Sequence, residues 1–218
     1  MATIPGGSYD VDFGTNRGDH IHVEDGNWIT FGLKGNDTIF GSDGNDLMFG
    51  GKGNDTLIGN DGFNTLFGED GNDTILGGDF GNYLNGGDGK DTLIGGDEGD
   101  KLVGGDGNDF LFGGDGNDQL VGGQGKDQMF GGDGNDTFIF SSGGGRDMVM
   151  DFEDGDILQI QRNINGLHIR NAEDLACRIH SDRDGNAVID LGHGDSITLV
   201  DVDAADVKAD PNSYIKIH

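Results

Sequence analysis

Aspartate recurs at a spacing of nine residues along the middle of this 218-residue chain. Twelve nine-residue repeats follow one another over residues 32–139 without an insertion or a deletion, as residues 104–112 and 113–121 illustrate. When each repeat is numbered from its first glycine, position 6 is Asp in ten of the twelve copies. Carboxylates set among glycines bring side-chain and backbone oxygens together, and hard metal ions bind such oxygens. The spacing therefore predicts rows of metal sites built into the fold.

The remaining positions of the repeat predict the elements that hold these carboxylates. Glycine occupies position 1 in all twelve copies, position 2 in eight and position 4 in ten, which suits tight turns with positive φ angles. Position 8 is apolar in every copy, which predicts the inward-facing residue of a three-residue strand. One such strand buries too little to be stable alone. We therefore expect two repeats to form one 18-residue coil, and stacked coils to form two parallel sheets around the position-8 side chains.

The pattern Gly-Gly-x-Gly-x-Asp-x-apolar-x resembles the calcium-binding repeat of the RTX (repeats-in-toxin) family over residues 32–139. The resemblance implies an all-β fold, a right-handed parallel β-roll with two nonapeptide repeats per coil and a small mixed α+β C-terminal cap. It also implies that Ca²⁺ lies between turns stacked on the same edge, held by position-6 carboxylates and turn carbonyls. The carbonyl ligands expected from position 4 are those of Gly35, Gly53, Gly71, Gly89, Gly107, Gly116, Gly125 and Gly134.

The position-6 residues fall into two columns, because turns on one edge of such a roll come from alternate repeats. The intact column consists of Asp37, Asp55, Asp73, Asp91, Asp109 and Asp127. The interrupted column consists of Asp46, Asn64, Asn82, Asp100, Asp118 and Asp136. Phe80 and Glu98, which replace the position-4 glycine, lie on the interrupted edge as well. The departures from the pattern are therefore confined to one edge.

The columns predict how many ions the roll holds. Six stacked turns leave five gaps, so we expect five sites in the intact column and about two between the turns of Asp100, Asp118 and Asp136, for about seven Ca²⁺. In an alternative, the amide oxygens of Asn64 and Asn82 also bind and more sites fill. Weaker candidate ligands are Asp19 and the position-3 residues Asp88, Asp97, Asp106, Asp115 and Asp133.

Composition agrees with a chain that depends on a cation. A formal net charge of −28 with only 33% apolar residues is typical of disorder unless the acid is neutralised, and seven Ca²⁺ would bring the charge to −14. The chain lacks the basic patch that nucleic acid requires, and anionic membranes are disfavoured for the same reason. Cys177 is the only cysteine, which excludes a disulfide within the chain. We expect neither an N-terminal secretory signal nor a transmembrane segment, because no apolar run has the necessary length.

The flanks of the array are expected to cap the roll. The register extends backward through Asp19 to residue 14, so residues 1–31 are interpreted as a degenerate N-terminal coil whose Trp28 and Phe31 cover the open end. Residues 140–218 are interpreted as a C-terminal capping region. It is predicted to contain a helix over residues 172–180 with Asn171 as its N-cap, a hairpin of residues 187–191 and 196–200, and a last strand over residues 214–217. Residues 136–158 and 189–199 resemble the C-terminal region of secreted RTX (serralysin-type) proteases, which implies an uncleaved signal for a type I exporter.

The chain carries neither the His-Glu-x-x-His motif of zinc proteases nor a Gly-x-Ser-x-Gly elbow, so we expect no enzyme. The first hypothesis is a secreted, extracellular calcium-binding protein or module that folds as it binds ions. The alternative is a Ca²⁺-dependent polysaccharide- or protein-binding module, because position 9 is apolar in eleven copies and faces outward. The chain is similar in layout to calcium roll modules of alginate-modifying enzymes, which bind polysaccharide. Ice binding by the threonines stacked at position 7 is a third and weaker hypothesis.

Overall fold

The computed structural model describes residues 9–218, and all 21 strands within these residues lie in two sheets. The first sheet has ten strands in the order β1 (Tyr9–Phe13), β3 (Asn27–Lys34), β5 (Leu47–Lys52), β7 (Thr65–Asp70), β9 (Tyr83–Asp88), β11 (Lys101–Gly107), β13 (Gln119–Gly125), β15 (Thr137–Phe140), β17 (Ile157–Ile160) and β21 (Ile215–Ile217). The second has eleven, in the order β18 (Ile179–Ser181), β19 (Ala187–Gly192), β20 (Asp195–Leu199), β16 (Arg146–Val149), β14 (Gln128–Gly134), β12 (Phe110–Gly116), β10 (Thr92–Gly96), β8 (Thr74–Gly78), β6 (Thr56–Asn60), β4 (Thr38–Phe40) and β2 (His20–His22). From β1 to β18, successive strands of the chain therefore alternate between the sheets, which confirms the predicted parallel β-roll.

The register of the array is 18 residues, as expected for two repeats per coil. Leu93 on β10 pairs with Ile75 on β8 and with Leu111 on β12 in parallel. All twelve position-8 side chains of the array are fully buried between the sheets. Each such side chain contributes on the order of 1.5–3 kcal/mol of burial free energy, and no single repeat supplies this without its neighbours. The core is therefore a row of apolar side chains along the axis of the roll.

The strands of the later coils extend further into the turns than the predicted three residues. Strands β11 to β14 are seven residues long and include positions 1 to 4 of the following repeat. Close stacking of the turns makes this extension possible. Gly107 has a φ of +152°, and a β-carbon on it would lie 1.5 Å from the carbonyl oxygen of Gly89 in the coil below. The stacked turns therefore require glycine at this position for two reasons: a side chain would collide with the turn below, and the backbone has a positive φ.

At the N-terminal end the roll continues one repeat further back than the sequence indicates. β1 pairs with β3 so that Phe13 lies opposite Phe31. The Phe31 ring stacks between those of Phe13 and Phe49, with centroids 5.1 and 5.0 Å away. The expectation that Phe31 covers the open end is therefore wrong, because it occupies the outward position 9 of its strand. Trp28 is half-buried against the core, and its indole Nε1 donates to the carbonyl of Glu24 at 2.8 Å.

The C-terminal region adds strands to both sheets and packs helices beside them. Its helices are two 3₁₀ helices (Ile164–Gly166 and Ala172–Arg178), α1 (Ala204–Ala209) and α2 (Pro211–Tyr214). None of the helices within residues 9–218 combines the length and the apolar character needed to cross a bilayer. Strand pairing is continuous across both predicted domain boundaries, at residues 31/32 and 139/140, and these boundaries stay predictions.

Two expectations for the C-terminal region need correction, and two are met. The helix predicted over residues 172–180 is a 3₁₀ helix that ends at Arg178, because Ile179 is extended and pairs with Ile189 on β19. The side chain of Asn171 does cap it, accepting from the Asp174 amide at 3.2 Å. Tyr214 ends α2 instead of beginning the last strand. The predicted hairpin is present as the antiparallel pair β19 and β20.

Candidate metal columns

The carboxylates of the intact column are locked together through the backbone. One oxygen of each side chain, Oδ1, accepts a hydrogen bond from the backbone N–H of the column residue in the coil below. Asp73 Oδ1 accepts from the Asp55 amide at 2.7 Å, and Asp91 Oδ1 accepts from the Asp73 amide at 2.8 Å. The same contact continues to Asp127 Oδ1, which accepts from the Asp109 amide at 2.9 Å. Each side chain is thereby fixed in position with its second oxygen directed elsewhere.

The second carboxylate oxygen, Oδ2, is buried without a hydrogen-bond partner in nine residues of the described chain. These are Asp37, Asp55, Asp73, Asp91, Asp100, Asp109, Asp118, Asp127 and Asp136. Leaving one buried polar atom unsatisfied costs about 1–3 kcal/mol, and more when the group is charged. Nine such atoms in two regular columns are too many for chance defects. They form regular rows of buried acceptor oxygens that would need a positively charged partner to be satisfied.

Seven of these oxygens, all except those of Asp127 and Asp136, lie beside a carbonyl from the next coil. A β-carbon placed on Gly104 would lie 2.4 Å from Asp109 Oδ2 and also 2.4 Å from the carbonyl oxygen of Gly122. The same pair of oxygens recurs at Gly95, where Asp100 Oδ2 and the Gly113 carbonyl lie 2.2 and 2.4 Å from that point. Two acceptors that converge with no donor between them fit a hard cation such as Ca²⁺, which takes six to eight oxygens.

Burial makes these carboxylates hard to ionise without a cation. Desolvation raises the pKa of Asp73, Asp109 and Asp118 to about 7, although the backbone N–H donor at each site lowers it. Neighbouring carboxylates of the same column raise the pKa further. The columns therefore hold protons more tightly than ordinary aspartates do, and a metal ion would displace those protons.

In the interrupted column, Asn64 and Asn82 place an amide NH₂ group where most of the other residues have an unpartnered carboxylate oxygen. Asn64 Oδ1 accepts from the Asp46 amide at 2.9 Å, so its Nδ2 occupies the place of the second carboxylate oxygen. This Nδ2 donates to the carbonyls of Gly62 and Gly77 at 3.3 and 3.4 Å. Asn82 repeats the arrangement, with its Nδ2 donating to the carbonyl of Phe80. The geometry thus favours a neutral amide in place of an ion, and it disfavours the alternative in which the amide oxygen binds calcium.

The other predicted ligands lie in three kinds of position. The position-4 glycines stack on one another, so that a β-carbon on Gly53 would lie 1.7 Å from the Gly35 carbonyl oxygen. The side chains of the five position-3 candidates are exposed and are not brought together with the buried oxygens. Asp19 extends the intact column, because its amide donates to Asp37 Oδ1 at 2.7 Å. Its own Oδ2, however, already accepts from the Thr15 amide at 2.6 Å.

Sequence reasoning missed two groups of oxygens. The first is the set of position-1 carbonyls, such as Gly122 O, which converge on the buried carboxylates although nothing in the sequence distinguishes them from other glycine carbonyls. The second is Asp147 and Asp156, which continue the two columns beyond the array. Their Oδ1 atoms accept from the Asp127 and Asp136 amides at 3.1 and 2.8 Å. They follow after 20 residues instead of 18, and this two-residue insertion hides them from the nonapeptide register.

Any ion in these columns would depend on the backbone for most of its ligands. Within the described part of the chain, no three His, Cys, Asp or Glu side chains converge on one point. One carboxylate per coil together with turn carbonyls is therefore the donor set that the fold offers. Such a set suits Ca²⁺, which accepts carbonyl oxygens in tolerant geometry, better than transition metals that prefer nitrogen and sulfur.

The apolar position-9 rows form the outer faces of the two sheets. On the first sheet the rings of Phe13, Phe31, Phe49 and Phe67 stack with centroids 5.0 to 5.1 Å apart. Each inner ring is thus half-buried by its neighbours, while Phe13 at the end of the stack is 62% exposed. In the position-9 row of the second sheet, Phe112 is the most exposed large apolar side chain, at 36%. The rows are outward-facing but largely covered by their own stacking.

Comparison with known proteins identifies the repeat. A family model described as RTX calcium-binding nonapeptide repeat (4 copies) matches residues 31–57, 50–84, 67–102, 76–111, 85–120, 103–138 and 112–149, and so covers more than half of the chain. The extracellular lipase LipA from Serratia marcescens is similar in structure, with 20% identity and a TM-score of 0.44 over 88% of this chain and 38% of the lipase. The AlgE6R3 subunit of the Azotobacter vinelandii mannuronan C5-epimerase is similar with 28% identity and a TM-score of 0.42, over 60% of this chain and 80% of the subunit. The chain thus spans less than half the length of the lipase that it matches. No curated protein sequence matches the chain significantly.

Proposed function

This chain belongs to the RTX calcium-binding repeat family, and on that basis we propose that it is a secreted, non-enzymatic β-roll that folds as it binds Ca²⁺ outside the cell. The observation that carries the proposal is the set of buried carboxylate oxygens that have no hydrogen-bond donor within residues 9–218. A folded chain with a formal charge of −28 cannot leave these groups charged and uncompensated in its interior at moderate cost. Calcium supplies the compensation, and folding and binding become one event.

The position of each Oδ2 supports a proposed location for each ion, in a gap between two stacked turns. In the intact column, five carboxylates face the position-1 carbonyl of the next coil of the array, which gives five sites: those of Asp37, Asp55, Asp73, Asp91 and Asp109. In the interrupted column, Asp100 and Asp118 do the same, which gives two more. Asp46 has a weaker claim because its Oδ2 accepts from the Ser42 amide at 3.1 Å. The array itself is thus proposed to hold seven ions.

Coupled folding suits a protein that is exported before it folds. Extracellular calcium modules bind with dissociation constants of about 10⁻⁴–10⁻³ M, far above the calcium concentration inside a cell. Inside, the carboxylates would stay without ions and the chain would stay largely unfolded, as threading through a type I exporter requires. Outside, mass action would drive ions into the columns and stabilise the roll.

Far-UV circular dichroism combined with native mass spectrometry tests this function. We expect a mostly disordered spectrum in chelator, a β-rich spectrum after Ca²⁺ addition, and at least seven bound ions per folded chain. A full β-rich spectrum in calcium-free buffer near pH 8, or a folded chain that carries no calcium, would show that the ions do not build the fold.

Export is tested separately. We expect the full chain, expressed together with a type I exporter, to appear in the medium, and to remain inside cells whose exporter lacks ATPase activity. Retention of the chain beside an exporter that still secretes a known RTX substrate would contradict the export proposal and leave the calcium proposal untouched.

A Ca²⁺-dependent polysaccharide- or protein-binding role is the second candidate, and the exposed end of the aromatic stack favours it. The inner rings of this row bury their faces against each other, so sugar stacking on the row would be confined to Phe13, its most exposed ring. A glycan array with Ca²⁺, run with the wild type and Phe13→Ala, tests the idea. Binding that disappears in the variant would support it, and an array without binding would remove the glycan form of this candidate.

A further inference from the structure

Two exposed phenylalanines lie in contact on the interrupted edge of the roll. The side chain of Phe63 is 53% exposed and that of Phe80 is 44% exposed. Their ring centroids lie 5.3 Å apart, with the ring planes inclined at 42°. Asn64 follows Phe63 directly, and Asn82 follows Phe80 after one glycine. The exposed pair therefore lies on the two turns in which an amide takes the place of the column carboxylate.

Both rings stand where the repeat has a residue better suited to the turn. Position 5 is asparagine in seven of the twelve copies, and its Oδ1 accepts from the amide at the same position of the next coil, as Asn54 Oδ1 does from the Asn72 amide at 3.0 Å. Phe63 donates its amide to Asn45 Oδ1 at 2.8 Å but has no side-chain oxygen with which to continue this ladder. Phe80 occupies position 4, which is glycine in ten copies. Paired aromatic rings on the surface at such positions indicate a binding surface instead of a requirement of the fold.

The edge that carries the two rings bears only negative charge. Its six turns contain no Lys, Arg or His, whereas the turns of the intact edge contain four lysines. Asp61 and Asp79 occupy position 3 of the two turns with the rings, and both are exposed. They lie one coil apart, since Asn60 pairs with Gly78 directly before them. The negative charge of Asp79 is the largest cause of the raised pKa of Asp61. The aromatic pair thus lies beside carboxylates that attract a cation.

Aromatic faces and carboxylates together select the chemistry of the partner. The face of an aromatic ring attracts cations, and a guanidinium also stacks flat on such a face while it donates to carboxylates. The same carboxylates would repel an acidic polysaccharide. Both rings lie on the outer surface of turns, which suits an extended segment of another protein better than a small molecule.

From this arrangement we propose that Phe63 and Phe80, together with Asp61 and Asp79, form a docking surface for an arginine-bearing basic segment of another protein. The inference goes beyond the proposed function, because calcium would build the roll without taking part in this contact. It gives the interruption of the column a positive role: two turns that need no ion are free to carry side chains that serve a partner.

The repeat itself supplies substitutions that remove the rings and keep the turns. Phe63→Asn restores the side-chain acceptor of position 5, and Phe80→Gly restores the glycine of position 4. The double variant should therefore fold in calcium as the wild type does. Phe112→Ala is the matched control, because it removes a ring that is 36% exposed from the outer face of the second sheet.

A second pair of double variants tests the charge. Asp61→Asn with Asp79→Asn removes two exposed carboxylates beside the rings. Asp115→Asn with Asp133→Asn removes two exposed carboxylates from the same position 3 of later turns on the same edge. The two proteins have equal net charge, so a difference between them reports the place of the charge and not its amount.

Isothermal titration calorimetry of the full chain in calcium, with a peptide of alternating arginine and glycine, measures the contact. We expect the wild type to bind this peptide, and to bind it more tightly than the corresponding lysine peptide. The Phe63→Asn/Phe80→Gly and Asp61→Asn/Asp79→Asn variants should each bind at least about five-fold more weakly, and both controls should bind as the wild type does.

Equal binding by the wild type and the variant without the two rings would overturn the proposal. An equal loss in the two charge variants would overturn it as well, because overall charge would then explain the binding. A wild type that binds a neutral oligosaccharide and not the arginine peptide would replace the protein partner with a sugar. If the variant without the rings fails to fold, the two charge variants decide the question. Ion counts by native mass spectrometry test the calcium proposal separately, whatever the peptides show.

Discussion

Replacing Asp91 with Asn changes one carboxylate oxygen in the middle of the intact column. Asp91 Oδ1 accepts from the Asp73 amide at 2.8 Å, and an asparagine keeps this contact. The atom that changes is Oδ2, which is buried without a donor and lies beside the Gly104 carbonyl. An Nδ2 in its place would donate to that carbonyl, as Asn64 Nδ2 donates to Gly77 at 3.4 Å. We therefore expect Asp91→Asn to keep the fold and to lose one ion.

The expected energy follows from mass action at that single site. With a dissociation constant of about 10⁻⁴–10⁻³ M and about 10 mM Ca²⁺, one site stabilises the folded state by about 1.4–2.7 kcal/mol. In calcium the variant loses this contribution, but it also avoids the cost of about 1–3 kcal/mol for burying an unsatisfied carboxylate, so the net change in its free energy of unfolding is the difference of the two. Without calcium only the second effect remains, and the variant should be the more stable protein.

Urea unfolding followed by circular dichroism in about 10 mM Ca²⁺ measures the net change, and the β-structure that each protein retains in calcium-free buffer shows the second effect. Asp88→Asn is the control, because Asp88 lies on the same turn with an exposed side chain and should change stability by less than about 0.5 kcal/mol. If Asp91→Asn were less stable than the wild type in calcium and also retained less β-structure in calcium-free buffer, the residue would be structural and its role in calcium binding refuted. Full stability with an unchanged ion count would refute the assignment of Oδ2 to a metal site.

Three further predictions follow from the columns and their turns. Asn64→Asp and Asn82→Asp restore the carboxylates of the interrupted column. Native mass spectrometry should then count one or two more ions than in the wild type, and the calcium-free fold should be weaker. An unchanged count would contradict the view that the amides replace ions. In urea unfolding, Gly107→Ala should destabilise the roll several-fold more than Gly143→Ala. Both glycines have a positive φ, but a β-carbon on Gly107 would lie 1.5 Å from a carbonyl oxygen, whereas a β-carbon on Gly143 would enter open space. In calcium-free buffer, column carboxyls such as those of Asp91 and Asp109 have pKa values raised to about 6 or 7. Their protonation therefore stabilises the folded state fully below the ordinary pKa near 3.8, and this contribution is lost as the pH rises through 7. Calcium-free protein should therefore show more β-structure at pH 4 than at pH 8 by circular dichroism, and the opposite trend would contradict the raised pKa values.

The array could be predicted from the sequence because several independent structural requirements impose the same nine-residue period. A buried apolar side chain at position 8 and a glycine at position 1 are required in every repeat, so these two positions recur in all twelve copies. The sequence predicted the 18-residue register because only two repeats per coil bring Leu93 beside Ile75 and Leu111. It also located the interruption at Asn64 and Asn82. These features depend on contacts between identical positions, which a periodic sequence displays directly.

The parts that could not be predicted depend on contacts outside the period. Asp147 joins its column after an insertion of two residues, and only the stacking of Gly145 on Gly125 reveals that the turn has the same role. Phe31 was expected to cover an end because the chain before it looked irregular, yet β1 supplies another coil on which it stacks. The helix that begins after Asn171 ends early because Ile179 pairs with a strand ten residues further along. Tertiary pairing decided each of these cases over local preference.

In the interrupted column, the orientation of the asparagine amide decides whether the side chain binds calcium or replaces it. From the sequence alone, asparagine is either a weak calcium ligand or a replacement for the ion, because its side chain carries both an acceptor and a donor. The Asp46 amide resolves this choice: it requires an oxygen in front of it, so Asn64 must direct its NH₂ group toward the turn carbonyls. A carboxylate there would need a cation to approach the same carbonyls. The interrupted edge is thus built to close two of its gaps without calcium, and the two edges of one roll should respond unequally when calcium is withdrawn.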